Sequence, residues 1–159
     1  PRDILISYMR FMKTDFETLM ALASYTINHL SEKGLIDLDI TKRIELIEAM
    51  ATEFGVSFAT DDDIKQQAID EVEDKVGENN VPDDVTETEI FNHARKEIIK
   101  SFNGENISGL YLVESLHKIS NRITQFLLNS DYVEDVFGTD EELSAFLISK
   151  IRTFSIKRA

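Results

Sequence analysis

Apolar positions recur at helical spacing along most of the chain. Phe16, Leu19, Met20, Ala23, Ile27 and Leu30 form one stripe and predict a helix over 15–33, stopped by Gly34 after Lys33. A second helix over 40–54 carries Ile40, Ile44, Ile47, Ala51 and Phe54 inward, with Gly55 as its stop. A third over 61–76 opens on Thr60 and three consecutive aspartates and turns Ile64, Ala68, Val72 and Val76 inward, closing at Gly77. Thr86 and Glu89 have capping-box spacing and start a fourth over 87–102, with Ile90, Ala94, Ile98 and Phe102 inward. The longest periodic segment, 109–129, aligns Leu112, Leu116, Ile119, Ile123 and Phe126, and Val113, Ser120 and Leu127 broaden that face. A second capping box, Thr139 and Glu142, starts the last helix over 140–155, with Leu143, Phe146, Leu147, Ile151 and Phe154 inward. The expected fold is all-α: about six amphipathic helices in one bundle or in two small packed helical lobes, with no substantial sheet.

The best linker lies between the third and fourth helices. Asn79, Asn80 and Pro82 are poor helix formers, and Pro82 cannot continue a helix. The division this predicts is an acidic N-terminal lobe over 1–77, a linker over 78–85 and a C-terminal lobe over 86–159. Lobes of this size are near the lower limit for an independent core, so they are expected to pack on one another or to dimerise. The opening Ile4-Leu5-Ile6, Tyr8-Met9 and Phe11-Met12 is unusually apolar for a terminus. It suits a docked strand, a leading turn of helix or an arm that inserts into a partner.

Charge narrows the function classes. Thirty acids against 17 bases leave a net charge of −13 over 159 residues. The whole excess falls in residues 1–90, where 21 acids face 8 bases; residues 91–159 balance at 9 of each. Such a surface repels phosphate backbones and anionic membranes, so neither direct nucleic-acid binding nor a membrane role is expected. No signal peptide is recognisable, which points to the cytoplasm.

Candidate chemistry is sparse. With no cysteine, disulfides, thiol nucleophiles and thiolate metal sites are excluded. Glu114 and His117 have the spacing of one half of a carboxylate-bridged di-iron motif, which on a helix would set both on one face. That site needs a second such pair, and His29 and His93 lack the order or spacing to supply it. No metal or other cofactor is expected, and an enzyme reading has no named catalytic residue behind it. Asp61, Asp62 and Asp63 miss the alternating register of a calcium loop and read as a helix cap. The polar face of the third helix is almost wholly negative, and Asp70, Glu71, Glu73 and Asp74 on it are the candidate contact residues for a basic protein partner.

One resemblance is present. Ile27-x-x-Leu30-x-x-Lys33-Gly34-Leu35-Ile36 is similar to the opening helix and turn of an uncharacterised family of acidic, all-helical bacterial proteins of unknown function. The stretch from Phe126 through Tyr132-Val133-Glu134-Asp135-Val136-Phe137-Gly138 to Leu143 looks like that family's close. The resemblance implies a bacterial cytoplasmic protein and brings no catalytic residues with it. The function these readings favour is a non-enzymatic helical interaction or adaptor protein presenting an acidic surface to a protein partner. The runner-up is a nucleic-acid mimic or regulator that occupies a basic DNA- or RNA-binding cleft, and third is a metal-dependent helical-bundle enzyme.

Overall fold

The computed structural model describes residues 2–77, 84–103 and 106–154, with side chains from Phe16 onward. Among the described residues, six helices carry the fold: α1 (Arg2–Lys33), α2 (Arg43–Ser57), α3 (Asp61–Gly77), α4 (Glu87–Lys100), α5 (Leu116–Asn129) and α6 (Asp140–Thr153). Five described strands of two to four residues clip them together: β1 (Ile36–Leu38), β2 (Phe58–Ala59), β3 (Asn106–Ile107), β4 (Leu110–Leu112) and β5 (Val133–Val136). The architecture is all-α, as the periodicity requires. Most of the linker read at 78–85 lies outside the described residues.

Local chemistry sets the helix boundaries. The Glu89, Lys118 and Glu142 amides donate to the hydroxyls of Thr86, Ser115 and Thr139, so α4, α5 and α6 each begin on a side-chain cap. At the start of α3 the Asp63 amide donates to Thr60 Oγ1 (3.2 Å) and the Thr60 amide to Asp63 Oδ2 (3.0 Å), a reciprocal box. At the end of α1 the Gly34 amide donates to the Ser31 carbonyl and the Leu35 amide to the Leu30 carbonyl. With Gly34 at φ +77, this is a Schellman stop.

Leu22, Ala23, Ile27 and Leu30 of α1 are buried with Leu46, Met50 and Phe54 of α2, Ile119, Ile123 and Leu127 of α5, and Leu143, Leu147 and Ile151 of α6. Helices from both sides of residues 78–83 therefore share one core. Two small antiparallel sheets close it. β1 pairs with β5, Ile36 opposite Val136, with a register shift between Asp37 and Leu38. In the other sheet β4 lies between β2 and β3, Phe58 opposite Leu112 and Ile107 opposite Leu110. α3 and α4 stand to one side as a pair, burying Ile64 and Ala68 with Ile90 and Ala94, and Arg95 reaches Asp61 at 3.6 Å.

Four expectations are corrected. The fifth helix begins at Leu116, not 109, because residues 106–112 form the β3–β4 hairpin. Ser108 and Gly109, at φ 51 and 86, make its tight turn, and both left-handed residues match the twist of a two-residue hairpin. Gly55 does not stop α2, which runs on to Ser57; a Cβ at Gly55 would sit 3.6 Å from Leu19 Cδ1. Ile40 and Ile44 are 81% and 65% exposed, because residues 40–42 form a separate 3-10 turn that breaks the phase of the stripe. The first helix starts at Arg2, not 15, so of the three options for the apolar opening the leading-helix one describes its backbone.

Candidate functional site

Glu114 and His117 do not share a helix face. Glu114 precedes the cap Ser115, outside α5, and its carboxylate holds Arg122 at 3.1 Å while accepting the Ser57 hydroxyl at 2.7 Å. Those two hydrogen bonds, Arg122 first, hold the Glu114 carboxyl below its ordinary range. Arg122 is correspondingly held above its usual value, chiefly by the same bond. The side chain of His117 is exposed on α5. The Glu114–Arg122–Ser57 set thus ties the end of α2 to α5, which is a structural task. Among the described residues, no group of three His, Asp or Glu side chains is placed to hold a metal ion. His29, half-buried on α1, meets the Tyr25 ring edge-on at 4.4 Å.

The acidic candidates on α3 are all in solvent. Asp70, Glu71, Glu73 and Asp74 are exposed, and Gln66 Nε2 donates to Asp70 Oδ1 at 3.1 Å. Helical spacing places Asp62, Asp63, Gln66, Asp70, Glu73 and Asp74 on one side of the helix, with Glu71 outside that arc, toward the Ile64 side. Ile64 and Ala68 occupy the opposite, buried side.

An apolar groove of about 730 Å³ lies against the first turns of that acidic side. Its floor and far wall come from Phe16 and Leu19 of α1, Val56 at the end of α2, Phe58, Phe102 and Val113. Phe16, Val56 and Val113 are 42%, 59% and 48% exposed, so three large apolar side chains converge on solvent at one place. The near wall is Asp62, Asp63, Gln66 and Gln67. One and two turns further along α3, Asp70, Glu73 and Asp74 prolong that wall beyond the groove.

Helix periodicity found the acidic face but missed the groove. Val113 reads as an inward position when 109–129 is taken as one helix, and Val56 follows a glycine that reads as a stop. The groove exists only because α2 runs past Gly55 and the chain after β4 turns back beside it, bringing segments about 40 to 60 residues apart in sequence together. The alternation of Leu110 and Leu112 around Tyr111 was the local sign of a strand there.

No known protein family, curated protein or solved structure matches the chain. No described helix is long and apolar enough to cross a membrane.

Proposed function

We propose that this chain is a non-enzymatic interaction module that binds a basic amphipathic helix of a protein partner. The observation that supports this is the continuity between the apolar groove and the carboxylates of α3. A ligand helix would lay its apolar stripe on Phe16, Val56 and Val113 and turn its cationic flank toward Asp62, Asp63, Asp70, Glu73 and Asp74. This is the helix-in-groove mode, where apolar anchors supply affinity and charge supplies orientation and encounter rate. A partner read only by charge would need no apolar floor beside the acids, which favours a protein helix over the nucleic-acid-mimic reading.

The test uses a synthetic Leu/Lys helix with one apolar stripe, followed by fluorescence anisotropy. A peptide of equal composition and scrambled order, carrying the same charge without the stripe, is the control. The striped peptide binds and the scrambled one does not. Changing Asp70, Glu71, Glu73 and Asp74 together to Asn or Gln weakens binding by about fivefold, from the three screened pairs at Asp70, Glu73 and Asp74, of a few tenths of a kcal/mol each. Val56→Glu abolishes binding by placing a charge on the groove floor. Equal binding of both peptides would reduce the acidic face to a nonspecific polyanion and defeat the proposal.

A further inference from the structure

The groove is lined by the middle of a helix whose first half has the properties the groove selects. α1 runs unbroken from Arg2 to Lys33, about 48 Å at 1.5 Å per residue. At 100° per residue, Ile4, Leu5, Tyr8, Met9 and Met12 fall within the same arc of about 140° as Leu19, Leu22, Ala23, Thr26, Ile27 and Leu30. The latter six are buried in this chain's own core. The apolar stripe thus continues for about three turns on the N-terminal side of Phe16. Arg2, Arg10 and Lys13 fall outside that arc. Residues 2–14 carry three bases and one acid, a net of +2, whereas the rest of the chain carries 14 bases and 29 acids, a net of −15. The start of α1 is therefore a basic amphipathic segment of an acidic chain.

We propose that the groove receives the first half of α1 from a second copy of this chain. Two copies exchange their helix starts about a two-fold axis near Phe16. The inference rests on the reading of the groove as a seat for a basic amphipathic helix, and it names the resident occupant. Continuity of the helix argues for a second copy over self-docking. Residues 4–12 lie further along the axis of the same helix that supplies Phe16 and Leu19 to the groove, so they cannot fold back over it. Charge argues for the same occupant, because Arg10 and Lys13 would come to the wall of Asp62, Asp63 and Asp70. The exchange is reciprocal and closes after two copies, so it gives a dimer and no filament. A foreign partner helix would then have to displace the second copy, and self-association would regulate access to the site.

Sedimentation equilibrium of the whole chain over a wide concentration range tests this, with circular dichroism to confirm that each variant is folded. The expected mass is twice 18.2 kDa. A groove variant (Val56→Glu with Val113→Glu) and a helix-start variant (Leu5→Glu with Met9→Glu) are each folded and monomeric. Mixing them restores heterodimers, since one intact helix start still meets one intact groove. A wild type that is monomeric throughout, a dimer that survives either pair of changes, or a mixture that stays monomeric overturns the exchange. The Leu/Lys peptide separates this failure from that of the underlying reading. A monomeric wild type that binds the peptide loses only the self-pairing, whereas a helix-start variant that binds no peptide loses the groove as a helix seat.

Discussion

Arg122 on the second turn of α5 grips Glu114, the residue just before that helix's cap, at 3.1 Å. Ser57, fully buried at the end of α2, donates its hydroxyl to the same carboxylate. One acid thus fixes where α2 stops and α5 starts, and with them the position of Val56 and Val113 on the groove floor.

Removing that charge should leave a pH signature. The folded Glu114 carboxyl titrates below its ordinary value of 4.5, so its contribution to stability is complete above that value and is lost as pH falls through the lower folded value. Glu114→Gln is expected to cost about 1 kcal/mol at neutral pH, as a partly exposed ion pair does. Urea denaturation at pH 7 and again near pH 3 checks the sign: the gap between variant and wild type narrows at the acid end.

Two residues of the second predicted helix should behave oppositely. Phe54 is wholly buried and Phe54→Ala is expected to cost about 3–5 kcal/mol. Ile44, placed inward by the sequence pattern, is 65% exposed, and Ile44→Ser is expected to change stability by no more than about 0.5 kcal/mol. Chemical denaturation of the two single variants suffices. A large loss at Ile44 would return the 40–54 stripe to its sequence-based phase.

The acidic face should be dispensable for folding. Neutralising Asp70, Glu71, Glu73 and Asp74 leaves Ile64 and Ala68 untouched and relieves like-charge crowding at helical spacing. The melting temperature is expected to stay level or rise slightly. A cooperative transition shifted sharply downward would show that these carboxylates hold the α3–α4 pair together.

Gly138 should resist substitution for two separate reasons. Its φ of +89 is unfavourable for any side chain, and a Cβ there would lie 2.9 Å from Glu142 Oε2 and 3.4 Å from Leu35 Cδ2. The carboxylate can swing away, but Leu35 is packed against the core. Gly138→Ala is expected to cost about 1–2 kcal/mol from backbone handedness alone. Gly34→Ala, at φ +77 with nothing within 4 Å of a Cβ, should show the backbone part without the crowding. Comparing the two variants by denaturation isolates the contact with Leu35.

What the sequence made legible was whatever is decided within one helix turn. Thr86 with Glu89 and Thr139 with Glu142 mark real starts because a cap is a bond between residues three apart. The stop at Gly34 is local in the same way. The misread start of α5 has a definite cause: Leu112 and Leu116 are four apart, so a strand residue and a helix residue mimic one stripe. What separates them is the pairing of Leu112 with Phe58, a partner 54 residues earlier. The groove was hidden for the same reason, since Phe16, Val56 and Val113 have no local relation to one another.

The pairing of Ile36 with Val136 has a consequence during synthesis. α1 and α2 are made first, but the surface that finishes their burial, Leu143, Leu147, Ile151 and Phe154, emerges about 100 residues later. At ~5–20 residues per second a ribosome needs about 5–20 s to cover that distance. Through that interval the nascent chain displays Leu22, Ile27 and Leu30 only half clothed, on an otherwise acidic polypeptide. A holding chaperone that grips bare aliphatic helix faces would find its substrate there, and would lose it once α6 leaves the exit tunnel.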